Sequence, residues 1–168
     1  MDRDQLRAAQ APLKDKYRTD PAAATLTLRA SGDLGEGVTC SVDTGRALVQ
    51  AGLHPATGGT GLAVCSGDML LQALVACAGV TLSAVATSLG IVVRSGNLVA
   101  EGDLDFRGTL GVSKDAPVGF AEIRLKLSLD TDATEAEKAK LLELTERYCV
   151  VYQTLARGPA LRASYQEP

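Results

Sequence analysis

Apolar and polar positions change their spacing several times along the chain, and each change marks an element. From Met69 to Ser88 the residues are apolar on nearly every side of a 3.6-residue period, and many are small: Ala73, Ala76, Ala78, Gly79, Ser83, Ala84 and Ala86. This predicts a helix buried on most sides, with neighbours in close approach. Ser66 is its candidate N-cap, Asp68 places a negative charge in the first turn, and Leu89-Gly90 ends it. The strictest alternation runs from Phe120 to Leu129, where Ile123, Leu125, Leu127 and Leu129 interleave with Arg124, Lys126 and Ser128. It predicts an antiparallel strand with one wet face. Leu98, Ala100, Gly102, Leu104 and Phe106 alternate in the same way with Val99, Glu101, Asp103, Asp105 and Arg107, predicting another strand.

Upstream, Leu26 to Ala30, Val38 to Val42 and Arg46 to Ala51 read as short strands. Turn chemistry lies between them at Gly32 to Gly37 and at Asp43-Thr44-Gly45. Gly52 to Gly61, with Pro55, Gly58 and Gly59, reads as a loop without the lysine of a phosphate cradle, so it carries no nucleotide role. Residues 2–18 read as a charged amphipathic helix with Leu6, Leu13 and Tyr17 on one side, closed by Asp20-Pro21. Residues 1–21 are thus an N-terminal arm and 22–168 the main domain. The last helix opens on a capping box, Thr134 with Glu137, gains an i,i+4 pair from Glu143 and Arg147, and stops at Gly158-Pro159. Leu161 to Tyr165 reads as a final strand. The order is helix, three strands, buried helix, three strands, helix, strand. Strands in runs point to an α+β fold with antiparallel sheets, not a doubly wound parallel one.

Composition narrows the function classes. The 168 residues carry 17 Lys and Arg against 20 Asp and Glu, a formal charge of -3, which supplies no basic field for nucleic acid. No Trp is present and aromatics make up 4%, so Ala, Val and Leu must fill the core. The stretch Met69 to Val93 is uncharged and long enough to span a bilayer. Its Gln72, Thr81, Ser83, Thr87 and Ser88, and the lack of flanking Lys or Arg on its N-terminal side, favour a core helix over a membrane span. The charged start, Met1-Asp2-Arg3-Asp4, is not a secretory signal, and a cytoplasmic location is expected.

Candidate chemistry rests on the cysteines: Cys40, Cys65, Cys77 and Cys149. A zinc site from His54, Cys65 and Cys77 matches no compact ligand spacing, so no metal is expected. Cys77 lies in the middle of the buried helix and Cys149 in the middle of the last one. If these helices pack together, the thiols meet in a redox pair; otherwise both are small buried hydrophobes.

Ser66 to Leu82, with its Ala76-Cys77, resembles the first cysteine helix of the OsmC/Ohr family of organic hydroperoxide-reducing proteins, and Arg147-Tyr148-Cys149-Val150-Val151 its second cysteine motif. Gly102 to Gly108 and Val118-Gly119-Phe120 are similar to its intervening strands, and the likeness runs from about Thr25 to Tyr165. The resemblance implies an intertwined homodimer whose antiparallel sheets wrap two central cysteine-bearing helices, with active sites at the subunit interface. It implies a thiol-dependent peroxidase in oxidative-stress defence, with Cys77 attacking an organic hydroperoxide, Cys149 resolving, and an external dithiol as reductant. No metal, haem, flavin or other cofactor is needed, and neither nucleic acid nor membrane is a partner.

A buried thiol must be held ionised to attack. In the family an arginine ahead of the helix does this, anchored by a carboxylate at the helix start. Asp68 matches the carboxylate, with Gly67 where the family has proline; Arg46 is the nearest arginine, with His54 as the other cation on offer. Cys149-Val150-Val151 departs from the common Cys-Pro-Val, which predicts loss of a helix kink and a shifted Cys149 thiol. The alternative is a non-catalytic OsmC-fold stress or ligand-binding protein with an apolar pocket at the dimer interface. A plain dimerisation domain is the reading outside the family.

Overall fold

The computed structural model describes residues 2–5, 8, 11, 19, 31–34, 39–43, 48–111 and 113–166. Most of the expected N-terminal helix, the expected strand Leu26 to Ala30 and residue Arg46 lie outside the described residues.

The first sheet has the order β1-β2-β3-β4, with β1 Ser31–Leu34, β2 Thr39–Asp43, β3 Leu48–Gly52 and β4 Val64–Cys65. β1 to β3 pair antiparallel, while the two residues of β4 add in parallel through Ala51↔Val64 and Gly52↔Cys65. Gly32 and Asp33, read as turn residues in the sequence, are strand residues opposite Val42 and Ser41. The ladder to β2 satisfies their backbone groups and overrides their weak strand preference.

Helix α1, Ser66–Leu89, starts one residue from expectation: Cys65 holds the N-cap position, and its side chain makes no capping bond. Gly90 closes it at φ +74°, the left-handed conformation that a glycine adopts without cost, and donates its N–H to the last turn. The predicted burial on most sides is not what forms. Leu74, Ala78, Leu82 and Ala86 make a single i,i+4 buried stripe, and Val80 on another side is 73% exposed. One side of the helix rests on a β-hairpin layer, the two helices near the C-terminal end of the chain pack against it as well, and Val80 faces away from both. By length and composition α1 is able to cross a membrane, but here its stripe forms the core of an α+β unit.

That layer is a hairpin of two twelve-residue strands, β5 Val93–Leu104 and β6 Phe120–Thr131. The register sets Leu98, Ala100 and Gly102 opposite Leu127, Leu125 and Ile123, so both strands turn their apolar members to α1. At Gly102 a Cβ would lie 2.5 Å from the Phe120 ring, so only glycine lets that ring cross the strand. The outer face carries the charges: Arg124 binds Asp103 and Glu122, and Lys126 binds Glu101 at 2.8 Å. Such exposed pairs contribute roughly 0–1 kcal/mol each.

β5 stops short of the expected Phe106. The Asp105 carboxylate accepts the Arg107 N–H at 3.0 Å and caps α2, Phe106–Thr109, so the chain coils where alternation predicted strand. Among the described residues two strands, not three, separate the long helices. Helix α3, Glu135–Tyr148, opens on the expected capping box. Glu143 pairs with Lys140 at 2.9 Å rather than with Arg147, whose guanidinium lies 5.5 Å over the Tyr148 ring. A separate helix α4, Val150–Ala156, follows at once. Leu161 to Tyr165 forms no strand, and both Leu161 and Tyr165 are exposed.

The core has two parts. One packs Leu74, Ala78 and Cys149 against Leu98, Ala100, Ile123 and Leu125; the other packs Leu82, Ala86 and Leu141 against Leu127 and Leu129.

Candidate functional site

Cys149 sits at a break between α3 and α4, not in the middle of a helix. Its φ of -72° and ψ of 110° are extended, yet its own N–H still reaches the Thr145 carbonyl at 2.9 Å. The expected loss of the kink does not occur: the helix breaks here without proline. An unbroken helix would return the next three amides to carbonyls four residues back. Here the Tyr152 N–H donates to the Cys149 sulfur at 3.4 Å, and the Val150 and Val151 amides lie near enough to the Cys77 sulfur to favour its charged form.

Cys77 reaches this place from α1, whose buried stripe carries Leu74 and Ala78 into the same cluster as the fully buried Cys149. Burial alone pushes the Cys77 thiol up. Against it, the Val151 N–H, the Cys149 S–H, the Val150 N–H and the Thr81 hydroxyl all donate to the sulfur, and together they hold the thiol below its usual value. Cys149 moves the other way. Burial raises it, the Tyr152 N–H offsets part of that, and the bond to Cys77 and the charge there raise it further. The pair is thus divided into a sulfur prepared to ionise and a neighbour that keeps its proton.

Among the described residues none of the groups that favour the Cys77 thiolate is a cation. Helix α4 presents its first-turn N–H groups, which no helix satisfies internally, to a sulfur on a different helix. Thr81 lies one turn beyond Cys77, so the i,i+4 spacing made that hydroxyl findable from the sequence. The amides carry no side-chain signal and were not.

A cavity of about 390 Å³, lined by Leu70, Leu74, Ile123, Leu125, Tyr152 and Leu155 and also by Glu122, shares walls with the cluster around Cys149, although neither sulfur lines it. Leu74, Ile123, Leu125, Tyr152 and Leu155 also belong to the cluster around Cys149.

Asp68 stands elsewhere. It lines a second cleft of about 380 Å³ with His54, Cys65, Asp103 and Phe120, in which the His54 ring stacks on Phe106 at 5.0 Å. Nine residues of helix at about 1.5 Å rise put it roughly 13 Å from Cys77. The His54 Nδ1 accepts the Ala56 N–H at 3.0 Å, so the ring caps its own loop. His54 and Cys65 share that cleft, while Cys77 belongs to the other cluster. The expected grouping of Arg46, Asp68 and Cys77 therefore reduces, among the described residues, to Cys77 with Cys149, Thr81 and backbone.

Among solved structures the chain is similar to an OsmC-like protein from Mycoplasma pneumoniae, with a TM-score of 0.67 at 16% identity over 79% of this chain and 89% of that one. It is similar to an organic hydroperoxide resistance protein from Elizabethkingia anophelis, TM-score 0.58 at 18% identity over 80% and 90% of the two chains. The OsmC organic hydroperoxide resistance protein from Legionella pneumophila gives a TM-score of 0.56 at 16% identity over 79% and 90%. No curated protein matches the chain. The sequence profile described as OsmC-like protein matches residues 59–164, which takes in both cysteines, the hairpin between them and the broken helix. With that span matched and the same α+β fold, the chain belongs to the OsmC-like family.

Proposed function

We propose that the protein is a thiol-dependent peroxidase that reduces organic hydroperoxides. The observation that carries this reading is the contact between two sulfurs whose surroundings move their acidities apart, Cys77 down and Cys149 up. The Cys77 thiolate attacks the terminal oxygen of the hydroperoxide. The O–O bond breaks, the alkoxide leaves as an alcohol once protonated, and Cys77 becomes a sulfenic acid. The Cys149 sulfur then attacks the Cys77 sulfur, the S–O bond breaks, and water leaves with the proton of Cys149 as the disulfide forms. An external dithiol returns two electrons and two protons and is itself oxidised to a disulfide. No step calls for a metal or organic cofactor.

The organic specificity is supported by the mostly apolar cavity that shares walls with the cluster around Cys149, which suits an alkyl chain better than it suits water or hydrogen peroxide. The cycle requires a compartment that keeps dithiols reduced, and the cytoplasm is one. A homodimer completes the reading. Only seven of the described residues are buried, Leu74, Ala78, Leu82, Ala86, Leu141, Thr145 and Cys149, while Leu70 and Val80 on α1 remain open. A second copy of the chain laid along α1 covers that face.

The test is direct. Reduced protein is mixed with cumene hydroperoxide and a dithiol, peroxide loss is followed, and the Cys77 to Cys149 disulfide is sought by peptide mass. Turnover that Cys77→Ser abolishes supports the reading; equal, slow consumption by wild type and by both cysteine variants ends it. The same apolar cavity favours one other reading, a non-catalytic binder of an apolar ligand, which predicts fatty-ligand binding with no turnover. Light scattering that finds a stable monomer removes the dimer.

A further inference from the structure

The break at Cys149 frees hydrogen-bonding groups in both directions. The Val150 N–H no longer returns to the Glu146 carbonyl, which α3 therefore leaves without its helical partner. The amide side of that lost bond lies at the turn where Cys77 and Val151 pack against the cluster that holds Cys149. The carbonyl side is taken by a side chain: Gln153, from the far side of the break, donates its Nε2 to the Glu146 carbonyl at 2.9 Å. The Glu146 carboxylate also lies near the Tyr152 hydroxyl, which burial and that negative charge both make less acidic. Helix α4 is itself regular from its start, since the Gln153 N–H meets the Cys149 carbonyl at 2.9 Å.

Two arrangements compete for the same groups. In the first the helix runs through, Val150 bonds Glu146, and Cys77 loses an amide. In the second the helix is broken and the Glu146 carbonyl needs another donor, because a carbonyl left unsatisfied in a half-buried place is costly. With valine at 150 nothing steric forbids the first. A proline there would, since it has no N–H and its ring collides with the carbonyl four residues back.

We propose that Gln153 is a positioning residue: by bonding the Glu146 carbonyl it holds the helix open at Cys149, so that the Val150 and Val151 amides face the Cys77 sulfur. It touches neither sulfur. Its effect on peroxide reduction rests on the peroxidase reading, but its effect on Cys77 does not.

The experiment therefore uses no peroxide. Fully reduced protein is alkylated with iodoacetamide between pH 4 and 10, the rate at Cys77 is read by peptide mass, and circular dichroism checks the fold at each pH. In Gln153→Met, which keeps the length and removes the donor, the midpoint for Cys77 is expected to rise by about one pH unit, the scale of one hydrogen bond to a charged group. The decisive arm places the same change in Val150→Pro. Cys149 already has the extended ψ that a residue before proline adopts, so proline enforces the break; it also removes the Val150 N–H, so Val150→Pro alone is expected to raise the Cys77 midpoint and serves as the baseline for this arm. Adding Gln153→Met to that background is then expected to move the midpoint by under about 0.3 unit. An unchanged midpoint in folded Gln153→Met overturns the proposal, and so does an equal rise in both backgrounds, which would place the action of Gln153 elsewhere. Should Gln153→Met alone not fold, rescue of its fold by Val150→Pro supports the proposal and failure of that rescue overturns it. Absence of peroxide turnover in wild type would remove the peroxidase reading and leave these outcomes intact.

Discussion

Two cysteines stand on or beside helix α1, and their settings are opposite. Cys65 occupies the N-cap position, where a thiolate would meet free amides and the positive end of the dipole, but its side chain makes no capping bond and the Asp68 carboxylate occupies the first turn. Cys77 lies three turns inside the same helix, where the field of its own helix has faded, yet it receives two amides, a thiol and a hydroxyl. The useful helix terminus belongs to α4, not α1. A helix end acts on whatever sulfur the tertiary structure places against it, and chain position along one helix is a poor guide to which sulfur that is.

The comparison predicts effects of very different size at the two places. The largest is on turnover: Cys77→Ser is expected to reduce peroxide consumption to background, Cys149→Ser to leave a Cys77 sulfenic acid trapped by dimedone, and Cys65→Ser to leave the rate within about twofold of wild type, as expected for a distant independent site. A rate that tracks Cys65 would reverse the comparison.

Next in size is packing. Leu74 is 1% exposed and touches the cluster that holds Cys149, so Leu74→Ala is expected to cost about 2–5 kcal/mol in urea unfolding. A cost below about 1 kcal/mol would mean the site has no rigid floor.

The pH dependence follows from the signs. A thiol lowered below its usual value gains its charge early, so alkylation of Cys77 is expected to have a midpoint below that of an unperturbed cysteine, and Cys149, raised by burial and by the Cys77 charge, a midpoint above it. Rates measured residue by residue check both directions, and coincident midpoints would refute the division of roles. Thr81→Val removes one of the four donors and is expected to raise the Cys77 midpoint by about half a unit to one unit. The smallest effect belongs to Asp68→Asn. Roughly 13 Å along the helix from the sulfur, it is expected to move the Cys77 midpoint by under about 0.3 unit, since water screens charges at that range. A larger shift would restore Asp68 to the site.

Much of the frame was legible because it depends on spacing. The alternation in β6, the capping box at Thr134 and the glycine stop at Gly90 are local, and each forms where the pattern put it. Three expectations failed for one shared reason. Gly32 and Asp33 are strand residues because β2 pairs with them, Phe106 coils because Asp105 caps it, and Leu161 to Tyr165 makes no strand because among the described residues none pairs with it. In each, the deciding partner was outside the pattern being read.

The order of residues alone determined which sulfurs exist, which face of β6 is apolar and where the long helices begin, since those follow from side-chain chemistry and a fixed helical or strand period. Only the folded chain brings the Val150 and Val151 backbone, whose amides every residue but proline possesses, up against Cys77. Backbone donors become specific through where a helix breaks and what then packs against it, and that is settled by contacts between α1, α3 and α4 rather than by any residue's identity.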